Sequence, residues 1–218
     1  MLPLLLGARP DGPLRVLAIG AHPDDIEIGA GGTLLQLAKE RALEVTYLVL
    51  TGTAARQAEA RSAASAFLPG ADVSMRLHDL PEGRFPSLWS EVKDALEQVA
   101  QTFVPDVVFA PSKHDAHQDH RTIATIVPTV FRDSLYLAYE IPKWDGDVWR
   151  PSVYVPMSRE VADTKVALLD ECFPSQHGRD WWSADVFLSL ARLRGVECKA
   201  VYAEAFGCDK AIVGFGAG

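Results

Sequence analysis

Residues 16–29 read VLAIGAHPDDIEIG, an apolar run that ends abruptly in a histidine, a proline and two adjacent aspartates. The apolar part, extended back to Leu14, predicts a buried β-strand from Leu14 to Gly20. Neighbouring carboxylates raise each other's proton affinity, so an aspartate pair beside a core strand requires compensation. A metal cation, a basic side chain or exposure at a turn would each provide it.

The composition is that of one ordinary globular domain, predicted to span residues 1–218. The formal net charge is −8 and basic residues form no run, which argues against nucleic acid or an anionic membrane as a partner. Three distant cysteines, at 172, 198 and 208, form no CxxC pair and favour a reducing, cytoplasmic environment. A proline interrupts the apolar patch of the opening MLPLLLGARPDGP, and we expect neither a signal peptide nor a membrane span. The oligomeric state stays open, a homo-oligomer included.

Short apolar runs alternate with helical patterns along the rest of the chain. Besides Leu14–Gly20, strands are predicted at Glu44–Thr51, before Asp79, at Asp106–Ala110, Leu135–Ile141 and Val196–Tyr202, with an edge strand within 142–156. Helices are predicted at Gly29–Arg41, Arg56–Leu68, Leu88–Phe103, His120–Phe131, Val161–Cys172 and Ser183–Arg194. This alternation predicts an α/β fold with a mostly parallel sheet and helices on both faces.

Ligands of such sheets bind at the carboxyl ends of the strands, and this rule points to the loops at His22–Asp25, Thr51–Thr53 and His114–His120. In the first loop His22 and Asp25 are three residues apart, so a helical turn would let both hold one cation. Asp24 would then lie beside the cation, free to act as a base. The alternative is that the aspartates only cap the helix that follows.

The second cluster, KHDAHQDHR at residues 113–121, holds three of the six histidines of the chain. Imidazole and carboxylate ligands suit zinc or another divalent first-row metal. Three protein ligands with an open fourth position are typical of catalytic zinc, and His22, Asp25 and one histidine of this cluster would supply them. A solvated polar loop is the alternative for this segment taken alone.

A nucleotide-binding oxidoreductase is disfavoured. Gly29, Gly31 and Gly32 do not match G-x-G-x-x-G, and they come nine residues after the strand rather than in the turn itself. These glycines instead predict a helix start that approaches the sheet or a ligand closely.

Several of these motifs together resemble the LmbE / PIG-L family of zinc-dependent de-N-acetylases. The matching segments are Ala21–Asp25, Gly29–Gly32, Thr51-Gly52 with Arg56 and Glu59, the strand leading to Asp79, His117-x-Asp-His120, and Ala203–Phe206. The resemblance spans nearly the whole chain, and the AHPDD and HxDH motifs are specific as a pair. It implies a Rossmann-like three-layer α/β/α fold.

The resemblance also implies a catalytic metal site. It implies that zinc, or another divalent first-row metal such as Fe2+, is bound by His22, Asp25 and His120. Asp24 is implied as the general base, His117 as the group that stabilises the oxyanion or donates the proton, and Asp119 as the orienting partner of His117.

Substrate contacts are expected outside this centre. The resemblance places Arg56 and Asp79 near sugar hydroxyls. Asp115 stands where well-known members have a tyrosine that assists the oxyanion, and with His114, Glu140 and Trp144 it indicates a subfamily with its own substrate. We expect a hydrolase that removes acetyl from the N-acetylamino sugar of a small glycoconjugate. An amidase for non-sugar amides and a non-catalytic metal- or sugar-binding domain are the alternatives.

Overall fold

The computed structural model describes residues 12–212, which form a seven-stranded sheet with helices on both faces. The strands are β1 (Leu14–Gly20), β2 (Leu43–Val49), β3 (Asp72–Leu77), β4 (Val107–Pro111), β5 (Leu135–Tyr139), β6 (Val153–Met157) and β7 (Tyr202–Gly207). The α-helices are α1 (Asp25–Glu40), α2 (Ala54–Phe67), α3 (Trp89–Ala100), α4 (Gln118–Val130), α5 (Arg159–Cys172) and α6 (Ala184–Cys198). Short 3₁₀ turns lie at Phe85–Ser87 and Pro174–Gln176.

The strand order is β3-β2-β1-β4-β5-β7-β6, and β1 to β5 are parallel. Strand β7 runs antiparallel to both of its neighbours. The α/β fold with a mostly parallel sheet is therefore confirmed, and β6 is the edge strand predicted within 142–156. The strand order reverses between β1 and β4, which is where open parallel sheets form a crevice for ligands.

Alternate residues of β1 supply two cores. Val16 and Ala18 pack with α1 and α2 on one face, whereas Leu17 and Ile19 pack with α3 and α4 on the other. This is why the strand is apolar throughout rather than alternating, as expected for a strand covered on both faces. The carboxyl end of β1 is thus fixed from both sides.

Helix α1 begins four residues before the predicted start, directly at Asp25. Its glycines serve close packing: a Cβ at Gly29 would lie 2.3 Å from the Tyr139 ring, and one at Gly31 would lie 2.6 Å from Phe67. The predicted close approach of this helix to the sheet is confirmed, since Tyr139 belongs to β5.

The predicted final strand Val196–Tyr202 is wrong. Helix α6 continues to Cys198, Lys199 reverses the chain with a left-handed φ of 63°, and β7 starts only at Tyr202. A Cβ at Gly195 would lie 2.7 Å from the Val201 carbonyl, so glycine lets the helix end pack against the returning chain.

The opening segment, for which the sequence predicts no signal peptide, lies outside the described residues. No α-helix within residues 12–212 has both the length and the apolar character needed to cross a membrane. The single domain over residues 1–218 stays a prediction.

Candidate active site

The loop after β1 places His22 and Asp25 side by side. The Asp25 carboxylate accepts a hydrogen bond from the His22 backbone N–H at 2.8 Å, which holds both side chains at the start of α1. Asp24 occupies the N-cap position with φ of 110°, a left-handed conformation that is costly for a residue with a Cβ. Its side chain makes no capping bond, so the capping alternative does not account for Asp24.

Three side-chain atoms from the loops after β1 and β4 surround one point. His22 Nδ1 lies 3.5 Å from Asp25 Oδ2, His120 Nε2 lies 3.2 Å from the same oxygen, and the two nitrogens are 3.3 Å apart. Ligands placed about 2.0–2.1 Å from zinc at tetrahedral angles are about 3.3 Å apart. The donor spacing therefore fits a small divalent metal.

His117 joins this group and defines a second set of donors. One ring nitrogen each of His22, His117 and His120 lies within 4.8 Å of the others, so these three histidines could also hold a metal. The spacing within this set is wider than that of the set containing Asp25. The two sets share His22 and His120 and differ in whether Asp25 or His117 is the third donor.

The second ring nitrogens of His22 and His120 each contact a carboxylate. His22 Nε2 lies 3.3 Å from Asp119 Oδ2, and His120 Nδ1 lies 2.7 Å from Asp115 Oδ2. Such outer carboxylates fix the tautomer of a metal-binding histidine and raise its basicity. The prediction that Asp119 orients His117 is corrected here, because the carboxylate of Asp119 contacts His22 instead.

The electrostatics of the cluster favour a cation. Burial disfavours charged histidine, yet Asp25 and Asp119 raise the pKa of His22 to about 10, and Asp25 and Asp115 raise the pKa of His120 to about 9. Although burial opposes it, the two histidines hold the pKa of Asp25 well below its ordinary value. The same carboxylates would attract a metal ion, which must displace those protons to bind.

Asp24 has its own basic partner. Arg56 Nη2 donates to Asp24 Oδ2 at 2.7 Å and also to the Pro23 carbonyl, while Nη1 donates to Glu59 and Ser175. Burial raises the pKa of Asp24 and Arg56 opposes it, which leaves a value of about 7. The structure thus uses Arg56, predicted as a sugar contact, to position Asp24.

His117 is the residue before α4. Its Nδ1 accepts from the Asp119 backbone N–H at 3.3 Å, and its ring lies 4.8 Å from that of His22 and 4.9 Å from that of His120. Burial and these two histidines lower the pKa of His117. Since Nδ1 accepts this hydrogen bond, a neutral His117 ring carries its proton on Nε2, which can act as a hydrogen-bond donor.

The prediction that Asp115 and Glu140 contact the substrate is corrected, because both side chains are bound to other residues of the protein. Asp115 is buried behind His120. Glu140 is buried in a bidentate pair with Arg194, both contacts measuring 2.7 Å. Neither carboxylate is free to meet a substrate.

The remaining predicted contacts are His114, Asp79 and Trp144. His114 packs its ring against Trp149, with centroids 5.0 Å apart. Asp79 is exposed after β3, and Trp144 is 66% exposed with its ring 6.1 Å from Trp181. Trp144 is therefore the exposed aromatic of the loop that follows β5.

Two features of the site escape the sequence analysis. The backbone N–H groups of Gly83 and Phe85 bind the Asp119 carboxylate at 2.6 and 3.0 Å, which no side-chain motif announces. Lys143 lies 2.9 Å from Asp115 Oδ1. The sequence does contain a feature that points to Lys143: it is a basic residue in a loop at the carboxyl end of a strand, where ligands of such sheets bind.

The family model PIG-L, described as GlcNAc-PI de-N-acetylase, matches residues 17–131. The uncharacterized deacetylase YaiS of Escherichia coli K12 is 29% identical over 167 residues, covering 71% of this chain and 88% of that protein.

Two solved structures share the fold. The conserved protein TT1542 of Thermus thermophilus superposes with a TM-score of 0.72 at 23% identity, covering 93% of this chain and 97% of that chain. N,N'-diacetylchitobiose deacetylase of Pyrococcus horikoshii gives 0.70 at 22% identity, covering 89% of this chain and 83% of that chain.

Proposed function

Because this chain belongs to the PIG-L family, we propose that it is a zinc-dependent hydrolase that removes the acetyl group from the N-acetylamino sugar of a small glycoconjugate. Family membership itself makes the protein an N-deacetylase. The metal, the sugar and the role of each residue are the proposal. The observation that carries it is the convergence of His22 Nδ1, Asp25 Oδ2 and His120 Nε2 next to Asp24, whose backbone has a left-handed φ.

The residues divide the chemistry among themselves. His22, Asp25 and His120 would hold the zinc ion, which would supply Lewis acidity to lower the pKa of a water molecule and to polarise the amide carbonyl. Asp24 accepts the proton of the attacking water as general base and passes it to the amine nitrogen as the C–N bond breaks, so that acetate and the free amine leave. His117 donates a hydrogen bond from Nε2 to the oxygen that gains negative charge, where one donor is typically worth about 3 kcal/mol.

The supporting residues keep these groups in place. Arg56 holds the Asp24 carboxylate through one oxygen and leaves Oδ1 for the proton. Asp119 and Asp115 hold the two metal-binding rings by their outer nitrogens. This arrangement offsets the repulsion between the two adjacent aspartates, because Asp25 would bind the metal cation and Asp24 pairs with the Arg56 guanidinium.

A sugar substrate is supported by the relatives. The Pyrococcus horikoshii enzyme is named for a diacetylated chitobiose, and the family description names an N-acetylglucosaminyl lipid. Trp144, exposed in the loop after β5, offers an apolar surface of the kind on which a sugar ring or an aglycone packs.

The test is acetate release from a panel of N-acetylhexosamine conjugates and, in parallel, N-acetyl amino acids. The zinc-loaded protein should release acetate from members of the sugar panel, lose this activity on chelation and regain it with zinc. Release only from the amino acids would favour an amidase for non-sugar substrates. A zinc-loaded protein that releases acetate from neither panel would favour a binding domain.

A further inference from the structure

Lys143 lies in a pocket of carboxylates in the loop that follows β5. Its ammonium is 2.9 Å from Asp115 Oδ1 and 2.8 Å from Asp147 Oδ2, and its side chain is 11% exposed. Asp147 in turn accepts a hydrogen bond from the Ala116 backbone N–H at 2.6 Å. This loop, residues 142–147, is therefore bound to the segment that leads into α4.

Asp115 connects this lysine to the proposed metal site. Its Oδ1 accepts from Lys143 and from the His117 backbone N–H at 2.7 Å, while its Oδ2 contacts His120 Nδ1 at 2.7 Å. Each oxygen thus has a defined partner, which fixes the rotation of the carboxylate. Because Asp115 binds Nδ1 of His120, the orientation of this carboxylate helps to set the direction in which Nε2 of the same ring points.

We infer that Lys143 is a positioning residue for the metal site, acting on His120 through Asp115. The inference rests on the metal-binding part of the proposed function. It makes residues 142–147 part of the metal site, although none of them reaches the metal point. Replacement of the outer partner of a metal ligand typically lowers metal affinity about 10–100-fold, and Lys143 is one contact further out.

A different role for Lys143 predicts the opposite change in metal affinity. If Lys143 only neutralised excess negative charge, its removal would make the site more negative and would strengthen cation binding. If Lys143 is a positioning residue, its removal leaves Asp115 Oδ1 with the His117 backbone N–H as its remaining partner, so that the carboxylate is held less firmly and metal binding weakens. The direction of the change in affinity separates the two roles.

The experiment measures zinc affinity of the metal-free full chain by competition with a chromophoric chelator. Lys143→Met should weaken zinc binding about 3–10-fold, below the range for a direct partner of a ligand. Lys143→Arg should restore most of the affinity, because its guanidinium can reach both Asp115 and Asp147. The absorption spectrum of bound Co2+ should change in Lys143→Met and return in Lys143→Arg.

The matched control is Lys113→Met. Lys113 is two residues from Asp115 in sequence, pairs with Asp209 at 2.6 Å and is 54% exposed, so its removal makes the same charge change without touching Asp115. Its zinc affinity should stay within a factor of two of wild type, in keeping with the small effect of an exposed pair. If circular dichroism shows that Lys143→Met is unfolded, Lys143→Gln takes its place. It should also weaken zinc binding, by a smaller factor.

Lys143→Met with unchanged or tighter zinc binding would overturn the inference and leave the proposed function intact. Conversely, a wild-type protein that binds zinc but releases no acetate from either panel would remove the proposed reaction. The positioning role would then still stand on the affinities. A wild-type protein that binds no zinc would overturn both.

Discussion

Two of the regions that bury carboxylates compensate the negative charge differently. Where α1, α5 and β7 meet, both oxygens of Glu204 are bound by the backbone N–H groups of Gly32 and Thr33, and by Lys165 at 2.6 Å. At the carboxyl ends of β1 and β4, Asp25 faces His22 and His120 across one shared point.

The difference separates structure from function. In the Glu204 network the partners are supplied by the chain itself, since Lys165 also donates to the Ile28 carbonyl at 2.6 Å. Such a set is closed, since the carboxylate has all these partners without a ligand. In the Asp25 cluster, by contrast, three donor atoms lie 3.2, 3.3 and 3.5 Å from one another, the spacing of ligands around a small divalent metal. A buried carboxylate therefore suggests a ligand site when it and neighbouring ligand atoms surround a common point, and not when protein donors already bind both of its oxygens.

The largest expected effect is that of removing a proposed metal ligand. His120→Ala should abolish zinc binding and acetate release, because it removes one of three ligands. His117→Ala is the matched control on the same segment: it should keep one zinc per chain and lose about 10²–10³ in kcat as an oxyanion donor. Zinc content and turnover are measured on the same preparations. Loss of zinc in His117→Ala would identify the three histidines as the ligand set and remove Asp25 from it.

The second expected effect separates Asp24 from its neighbour. Asp24→Asn should keep the zinc content near that of wild type and lower the rate by about 10²–10⁴, the usual worth of a general base. Since asparagine also tolerates left-handed backbone, the loop should keep its shape. Full activity in Asp24→Asn would contradict the mechanism at its centre.

Much of this cluster was accessible from the sequence because strand ends and side-chain chemistry coincide there. The apolar run before His22 and the run before Lys113 predict two strands, and parallel strands bring their carboxyl ends together. What sequence could not supply is the direction in which each carboxylate points. Asp115 and Asp119 lie in the same motif, yet one contacts His120 and the other His22.

The antiparallel half of the sheet was less predictable. Glu204 interrupts the apolar pattern of β7, because its partners come from α1 and α5, far away in sequence. Val196 and Val201 favour a strand by composition, whereas both are exposed around the end of α6. Tertiary packing at Gly195 overrides that local preference.

A substitution in the closed Glu204 network should lower the stability of the protein rather than its catalytic rate. Glu204→Gln leaves Lys165 buried without its counter-charge, and breaking a buried pair costs about 3–5 kcal/mol. The free energy of unfolding, measured with denaturant, should fall by that amount, while the turnover of the folded fraction stays near wild type. A large loss of turnover with unchanged stability would show that Glu204 serves the reaction.

The smallest expected effect concerns Glu140. Its partner Arg194 keeps two other acceptors, Glu197 at 3.0 Å and the Trp149 carbonyl at 2.8 Å. Glu140→Gln should therefore lower the free energy of unfolding by about 1–3 kcal/mol, less than the Glu204 variant.

The substrate constants decide between the two roles of Glu140. A carboxylate fixed in a bidentate pair with Arg194 does not reach the substrate, so KM and kcat of Glu140→Gln should equal those of wild type for every active member of the sugar panel. Glu197→Gln is the control: it removes the same charge from the same arginine at a more exposed position and should cost less than about 1 kcal/mol. A raised KM in Glu140→Gln, with the stability of wild type, would return this residue to the substrate contacts that the sequence predicts.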